Sequence, residues 1–443
     1  MQKVNPSTSL RANGELVEPE RSRTIKFYTL GCKVNQYETQ FVREQFTSAG
    51  FREIDNGNKA DICVINTCTV THRADADSLN YIRRARRENP SAKLIVTGCL
   101  TELDEERIRF ADSRSLIVRN KYKSDMLRYF FSRYPQTRKP ANPQTILGIS
   151  NFAGHTRAFL KIQDGCDNFC SYCKVPLVRG RSRSKPEKEI IAEARDLVRN
   201  GFKEIVLCGI CLGAYGKGFE PQGNLVEVIR TLEKIDGLLR IRLSSIEAGD
   251  VSEALIDKIA ESKKLCRHLH IPLQSGSDQM LKIMNRNYTR ADYLELIHKI
   301  KKKLPQVAIT TDVLVGFPGE SENDFQDTLE LIRDILPLKV HIFPYSPRTG
   351  TAAYGLKDLI ETTAVKDRVM RLKKLACRCA SIYSRQFLGK ITDVLIEGKM
   401  KNSPYLWWGY TNNYIKVFIK STRNLHNVCS SFKLKKIDKN GAF

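Results

Sequence analysis

Three cysteines stand close together in the middle of the sequence, in the run GCDNFCSYC. Cys166, Cys170 and Cys173 have the spacing C-x3-C-x2-C and come directly after a predicted strand. Three thiolates on one short loop can ligate three irons of a [4Fe–4S] cluster and leave the fourth iron open. Zinc is the alternative, but zinc loops usually supply paired CxxC motifs and four ligands, and this run holds no fourth Cys or His. The spacing therefore favours an iron–sulfur cluster with an open coordination position.

A second set of cysteines is spread along the first part of the chain. Cys32, Cys68 and Cys99 close the runs YTLGC, VINTC and IVTGC, each at the carboxyl end of a predicted strand. Ligands collect at that edge of an open α/β sheet, so three thiols distant in sequence can converge there on a second cluster. Cys63 would face the opposite side of its strand from Cys68, so we expect it to be a buried hydrophobic residue.

The elements that must position these cysteines follow three patterns. Strands alternate with helices over residues 22–136, which predicts an open parallel α/β sheet. The same alternation over residues 150–384 gives six βα units and predicts a partial barrel with its chemistry at the carboxyl ends of the strands. Residues 134–151, rich in Pro and polar side chains, are predicted to be a linker between the two. Short β-type runs over residues 385–443 predict a small β-barrel.

Composition limits the kind of protein this can be. The chain has 443 residues, 73 Lys plus Arg against 49 Asp plus Glu, and a formal net charge of +24. A hydrophobic content of 41% excludes a disordered chain. The 13 cysteines are odd in number, and we identify neither a secretory signal nor an apolar run long enough to cross a membrane, so a disulfide framework is not expected. These features predict a soluble cytoplasmic protein with a polyanionic partner.

The basic C-terminal segment is also rich in aromatic residues, which suggests what that partner is. Both tryptophans, Trp407 and Trp408, lie there beside Tyr405, Tyr410 and Tyr414. Aromatic rings among basic residues fit single-stranded RNA, which binds by stacking and phosphate contacts. The alternative is that these rings form the core of the small barrel, and we expect this of at least one tryptophan.

The cysteine run, with Tyr172 before its last cysteine, resembles the signature of radical S-adenosylmethionine (SAM) enzymes. Nearly the whole chain resembles the methylthiotransferase family of these enzymes, including an RNA-binding C-terminal barrel of the TRAM type. Four motifs carry the likeness: TLGCKVNQYET (Thr29–Thr39), NTCTVT (Asn66–Thr71), HLHIPLQSGS (His268–Ser277) and DVLVGFPGE (Asp312–Glu320). The first motif is the most similar to the members that modify threonylcarbamoyladenosine in tRNA.

The resemblance implies SAM and two [4Fe–4S] clusters as cofactors. One SAM would methylate a sulfur held at Cys32, Cys68 and Cys99, and a second would yield the radical that removes the C2 hydrogen of the adenine. The substrate would be N6-threonylcarbamoyladenosine 3′ of the anticodon, in the anticodon stem-loop of a tRNA. The reaction would also need a reductant protein, such as flavodoxin or ferredoxin, and a sulfur donor. Alternatives are another tRNA adenosine, a ribosomal protein as substrate, or an RNA-binding protein with non-catalytic clusters.

Further candidates for binding SAM lie at predicted strand ends (Gly209, Ser245, Glu247 and Gln274), in the cysteine run (Tyr172) and in the basic run that follows it (Arg183). For several of them a strand-end turn, a cap or a buried amide is an equally good interpretation. Arg183 belongs to a basic run with Arg179 and Arg181 that fits either anion binding or a solvated surface. His268 and His270 share one face of a strand and are interpreted as core or network histidines, with a ligand role as the alternative. Cys208 and Cys211 depart from the family pattern and are interpreted as tolerated substitutions, with a redox or ligand role as the alternative.

Overall fold

The computed structural model describes residues 9–10, 16–17, 23–54, 57–137, 148–219, 223–401, 403–438 and 441–442. It divides into two compact units. The first comprises Met1–Leu30, Phe41–Cys68 and Asp75–Ile146, and the second comprises Gly31–Gln40, Thr69–Ala74 and Leu147–Phe443. Most of the predicted linker, residues 138–147, lies outside the described residues. No described helix is both long and apolar enough to cross a membrane.

A five-stranded sheet forms the centre of the first unit, with the strand order β4-β3-β5-β6-β7 and every pair parallel. The strands of this sheet are β3 Thr24–Thr29, β4 Arg52–Glu53, β5 Ile62–Thr67, β6 Lys93–Gly98 and β7 Leu116–Ile117. Before them in the chain, β1 Ser9–Leu10 and β2 Leu16–Val17 form a separate short antiparallel pair. The helices of this part of the chain are α1 Lys33–Ser48, α2 His72–Glu88, α3 Glu105–Ala111 and α4 Met126–Arg133. The predicted open parallel sheet is confirmed.

Two hydrophobic cores lie on the two faces of this sheet because side chains alternate along each strand. Ile62 and Val64 of β5 pack with Phe46 and Phe130 in one core. Cys63 and Ile65 of the same strand belong to the other core. Cys63 is fully buried there, as predicted for a hydrophobic cysteine. Burial on both faces explains why β5 reads as a continuous apolar run.

Six parallel strands form the centre of the second unit and follow one another in chain order. They make two three-stranded sheets, β8-β11-β12 and β13-β14-β15, and isolated parallel bridges pair Ile241 with Leu265 and Ser245 with His270. The strands of this region are β8 Arg157–Lys161, β9 Gln163–Asp164, β10 Arg183–Ser184, β11 Glu204–Cys208, β12 Arg240–Leu243, β13 His268–His270, β14 Ala308–Val315 and β15 Lys339–Pro344. Every strand predicted for the six βα units is present.

Helices follow most of these strands, and several begin at a side-chain cap. Thr289 and Ser321 each form a capping box with an Asp three residues later, which satisfies amide groups that a helix start leaves free. The helices are α5 Val175–Arg179, α6 Glu187–Arg199, α7 Leu225–Glu233, α8 Glu253–Glu261, α9 Asp278–Ile283, α10 Arg290–Lys303, α11 Glu322–Ile335 and α12 Thr362–Arg385.

The C-terminal segment forms a six-stranded mixed sheet in the order β19-β16-β17-β18-β21-β20. Its strands are β16 Ile391–Lys399, β17 Leu406–Thr411, β18 Lys416–Lys420, β19 Cys429–Lys433, β20 Ile437–Asp438 and β21 Gly441–Ala442. Trp407 is buried in a core that also contains Ala308 at the start of β14 and Tyr383 of α12. The expectation that one tryptophan belongs to the core is confirmed. This sheet therefore packs at the amino ends of the parallel strands.

Candidate active site

The cysteine loop follows β8 and β9 and is held against the chain segment after α5. Gly165 has a φ of +75°, and a Cβ at this position would lie 1.9 Å from the carbonyl oxygen of Arg181. The backbone N–H of Cys166 donates to the carbonyl oxygen of Gly180 at 3.1 Å. Glycine is required here because of the positive φ and because the two chain segments approach so closely. These contacts fix the backbone at the start of the loop that carries Cys166, Cys170 and Cys173.

The three thiols are partly exposed, and donors lie beside two of them. Nη1 of Arg286 donates to Sγ of Cys170 at 3.3 Å, and the backbone N–H of Asn168 donates to Sγ of Cys166 at 3.5 Å. Burial raises the pKa of Cys170, and it raises the pKa of Cys173 to about 12. A hydrogen bond with Cys211 lowers the pKa of Cys166 to about 7.

Cys211 is the fourth thiol near this loop, although it lies after β11 and outside the cysteine motif. Its thiol is 3.3 Å from Oδ2 of Asp250 as well as in contact with Cys166. The hydrogen bond to Cys166 and burial raise the pKa of Cys211 well above its usual range. Cys211 is therefore a neutral thiol in this arrangement, and its S–H donates to the Asp250 carboxylate. The sequence placed it near the strand ends but gave no sign of Asp250 or of Arg286.

The buried Arg286 and the half-buried Glu247 form an ion pair beside the cysteine loop. The Arg286 guanidinium contacts both carboxylate oxygens of Glu247, and only 3% of the Arg286 side chain is exposed. The same guanidinium donates to the hydroxyl of Tyr288 at 3.0 Å. Glu247 is a candidate for binding SAM, and the Arg286 guanidinium joins it to Cys170.

The structure places the other candidates for binding SAM as follows. A Cβ at Gly209 would lie 2.7 Å from Oε1 of Gln163, so this position is closely packed. Ser245 pairs with His270, and Gln274 pairs with Val313 at a φ of +69°. Tyr172 packs beside Phe317 with ring centroids 6.4 Å apart.

The basic run after the loop is not a uniformly solvated surface. Arg179 is buried, with 2% of its side chain exposed, and donates to Glu38 at 2.8 Å and to Asp164 at 3.0 Å. It also donates to Oδ1 of Asn35 at 2.5 Å. Arg183 donates to Oδ2 of Asp164 at 2.8 Å and Arg181 donates to Oδ1 of Asp167 at 3.3 Å, and both of these side chains are exposed. Asn35 and Glu38 belong to the motif TLGCKVNQYET, so part of that motif is explained by its contacts with Arg179.

Cys68 and Cys99 of the second set lie in the first unit, directly after adjacent strands. The register pairs Thr67 of β5 with Gly98 of β6, the two residues that precede these cysteines. Both cysteines are buried. The Ser78 hydroxyl fixes the backbone of Cys68, since Oγ accepts from its N–H at 3.1 Å and donates to its C=O at 2.9 Å.

Cys32 is exposed and belongs to the segment Gly31–Gln40 of the second unit. It follows β3, which is the neighbour of β5 in the sheet. All three cysteines of the second set thus follow the carboxyl ends of three successive strands of one sheet, β3, β5 and β6. This topology is the one that the sequence predicts for them.

Comparisons with known proteins agree with this architecture. Residues 160–332 match the Radical SAM superfamily, and residues 24–118 match the Uncharacterized protein family UPF0004. The structure is similar to the radical S-adenosylmethionine methyltransferase TsrM from Kitasatospora setae, with a TM-score of 0.55 over 75% of this chain and 77% of that one. The identity is 13%, so this likeness concerns the fold alone. The strand order and the cysteine loop define the class of radical SAM enzymes.

Two curated relatives are similar over nearly their whole length. The threonylcarbamoyladenosine tRNA methylthiotransferase MtaB of Bacillus subtilis is 39% identical over 91% of this chain and 91% of its own. The protein of the same name from Chlamydia pneumoniae is 42% identical over 84% of this chain and 87% of its own. The chain belongs to the radical SAM methylthiotransferase family. Its cofactors are SAM and the [4Fe–4S] cluster.

Proposed function

We propose that this enzyme transfers a methylthio group to C2 of N6-threonylcarbamoyladenosine, 3′ of the anticodon of tRNA. The observation that carries the proposal is the likeness, at 39% and 42% identity, to two relatives named for this nucleoside. The motif TLGCKVNQYET supports it, because this motif resembles that of the family members that modify this nucleoside.

We infer that Cys166, Cys170 and Cys173 hold the cluster that binds SAM, and that Cys32, Cys68 and Cys99 hold a second cluster. The donor set fits the first cluster, since three thiols share one partly exposed loop and two donors already point at their sulfurs. When bound, the first cluster supplies the electron that cleaves SAM, and the second holds the sulfur to be transferred.

Side chains of the enzyme itself bind and orient the clusters and SAM. Arg286 and Asn168 donate to thiolate sulfurs and so stabilise their negative charge. The proposed contacts of SAM are six residues around the loop: Tyr172, Arg183, Gly209, Ser245, Glu247 and Gln274. The buried network of Arg179 keeps the segment after the loop in one conformation.

The proposed division of labour has three parts. Residues 22–136 would carry the second cluster, residues 150–384 the radical chemistry, and residues 385–443 the RNA contact. A reductant protein and a sulfur donor would complete the cycle, in the cytoplasm. The basic surplus of the C-terminal segment supports a role in RNA binding.

Mass spectrometry of nucleosides from bulk tRNA tests the proposal, with a deletion strain compared with its complemented parent. We expect the deletion strain to lose 2-methylthio-N6-threonylcarbamoyladenosine and to accumulate the nucleoside without the methylthio group. An unchanged level of this nucleoside would overturn the substrate assignment. Loss of a different methylthio nucleoside would assign another tRNA adenosine instead.

A further inference from the structure

Three side chains of the second unit that have no part in the proposed reaction lie together on adjacent strands. His270 ends β13, Asp312 lies within β14 and His341 lies within β15. One ring nitrogen of each histidine and one carboxylate oxygen of Asp312 all lie within 4.8 Å of one another. The described residues contain no other group of three His, Cys, Asp or Glu side chains with this proximity. We call this group the His–Asp–His triad.

The register of the parallel strands creates this proximity. Asp312 is paired with His341, and His270 is paired with Thr310, two residues before Asp312 on the same strand face. Thr311, on the opposite face of β14, contacts the hydroxyl of Tyr293 in α10. The triad therefore lies on the face of the sheet that points away from α10.

The same strand face leads to the cysteine loop. Leu314 is the next residue after Asp312 on this face, and it belongs to the hydrophobic cluster against which Tyr172 packs. The triad is thus one step along β14 from a residue that supports the loop of Cys166, Cys170 and Cys173. All three of its side chains are partly exposed, so an ion could reach them.

The donor atoms have the chemistry and the spacing of a metal site. Two imidazoles and one carboxylate are a common ligand set for zinc and for ferrous iron. Ligands of a tetrahedral zinc ion lie about 3.4 Å from one another, given bonds of about 2.1 Å. Nε2 of His270 is already 3.3 Å from Oδ1 of Asp312. The imidazole rings of His270 and His341 have their centroids 5.6 Å apart, so small side-chain rotations suffice to close the set.

A threonine beside His270 holds its imidazole ring in an orientation suited to metal binding. Nδ1 of His270 lies 2.9 Å from Oγ1 of Thr310, and this contact orients the ring so that Nε2 faces Asp312. A metal-binding histidine is usually held in this way through its second nitrogen.

We propose that His270, Asp312 and His341 bind one divalent transition-metal ion of the zinc and ferrous-iron class. The carboxylate supplies a negative charge that partly compensates the ion, and the two imidazoles supply nitrogen ligands. Three protein ligands leave a fourth position for a water molecule or an oxygen of another ligand. This site is separate from the cysteine sets, and nothing in the proposed methylthio transfer requires it.

Zinc binding by the holoenzyme tests the site. The protein with its iron–sulfur clusters intact is dialysed under anaerobic conditions against micromolar ZnCl2, and zinc, iron and sulfide are measured per chain by elemental and chemical analysis. We expect the wild type to retain one zinc per chain that His341→Ala loses, with iron and sulfide unchanged. His298→Ala is the matched control, because His298 is exposed on α10 and should leave the zinc content as in the wild type.

Asp312→Asn repeats the test with a side chain of the same shape. It keeps the size of Asp312 but removes the charge, and it replaces the first variant should His341→Ala fail to retain its clusters. Equal zinc contents in the wild type and the triad variants would overturn the proposal and leave the triad as a hydrogen-bond network. Because the readout is metal content, a negative result here would not affect the assignment of the nucleoside.

Discussion

At the scale of single residues, the thiols of the cysteine loop depend on groups that lie far away in the sequence. Arg286 reaches Cys170 across 116 positions, and Cys211 reaches Cys166 from the end of another strand. The spacing C-x3-C-x2-C identifies the candidate ligands but not these neighbouring groups. A donor to a thiolate reduces the charge that the sulfur presents to a bound iron, so it bears on how easily a cluster is reduced.

Replacing Arg286 should therefore change the reduction potential of the SAM-binding cluster. Arg286→Met removes a hydrogen bond to a charged sulfur, worth about 1.5–3 kcal/mol, so we expect a more negative midpoint potential. Arg286→Lys keeps the charge and should restore part of the shift. The measurement is a potentiometric titration followed by electron paramagnetic resonance. Arg290→Met, at a guanidinium that pairs with Asp327, is the control and should leave the potential unchanged. An unshifted potential in Arg286→Met with a complete cluster would contradict the assigned role.

Substitution of a cysteine in each of the two sets should affect SAM cleavage and methylthio transfer differently. Cys170→Ala removes a ligand of the cluster proposed to bind SAM, so we expect no release of 5′-deoxyadenosine from SAM. Cys68→Ala removes a ligand of the second cluster, so SAM cleavage should persist while methylthio transfer to tRNA is lost. Both products are measured by liquid chromatography with mass spectrometry. Cys63→Ala, five positions before Cys68 and buried in a core, is the matched control for cysteine loss, and it should retain both activities. Methylthio transfer at the wild-type level in Cys68→Ala would remove that cysteine from the second cluster.

At the scale of elements, the sequence is informative wherever a pattern is local. Alternating apolar runs predict β5 and β6, and register then brings Cys68 and Cys99 to one edge. The packing of the C-terminal sheet could not be predicted, because it depends on charged residues at the amino ends of distant strands. Arg240 donates to the carbonyl oxygen of Tyr410 at 3.0 Å, and Arg242 donates to that of Asn412 at 3.0 Å. Both arginines share the carboxylate of Glu204. A buried charge that satisfies a remote backbone carbonyl leaves no periodic signal in the sequence.

Glu204 is therefore the residue whose loss should most weaken the junction of β11 with the C-terminal sheet. Burial opposes its ionisation, but Arg242 and Arg157 outweigh this effect and hold the pKa of Glu204 below its usual value. Removing one partner of a buried ion pair costs about 3–5 kcal/mol, so Glu204→Gln should lower the stability to urea at pH 7. The exposed Glu227→Gln, which also breaks an arginine pair, should have little effect.

The ion pair of Glu204 with Arg242 also predicts how the free energy of unfolding depends on pH. A carboxyl group whose folded-state pKa is depressed contributes its full stability above the unfolded value of about 4.3 and loses it as the pH falls through the folded value. Wild-type stability should therefore fall below about pH 4 more steeply than that of Glu204→Gln. Urea unfolding monitored by circular dichroism between pH 3 and pH 7 measures the difference. Parallel profiles for the two proteins would contradict the lowered pKa.

At the scale of the whole molecule, a net charge of +24 indicates a polyanionic partner, but charge alone does not say which surface binds it. The structure shows which aromatic rings of the C-terminal segment are accessible for stacking on RNA bases. Trp407 is buried, and the ring of Tyr414 stacks on Tyr410 with the guanidinium of Arg157 nearby. Tyr405 remains 60% exposed at one end of the sheet. Deletion of residues 385–443 would expose the core around Ala308, so point variants are the better test of RNA binding.

Two kinds of surface variant should separate stacking from phosphate contact in tRNA binding. Lys399 and Lys420 are exposed near Tyr405, at the same end of β16, β17 and β18. Replacing either lysine by Ala should weaken binding and flatten the plot of log K against log salt by about 0.7–0.9 per lost phosphate contact. Tyr405→Ala should instead leave that slope unchanged and weaken binding by about 1–3 kcal/mol, because stacking does not release counterions. The measurement is fluorescence anisotropy of a labelled anticodon stem-loop over a range of salt concentrations, with Lys282→Ala on α9 as the control for loss of a lysine elsewhere. Wild-type affinity and slope in all three variants would mean that RNA binds to another basic surface of the enzyme.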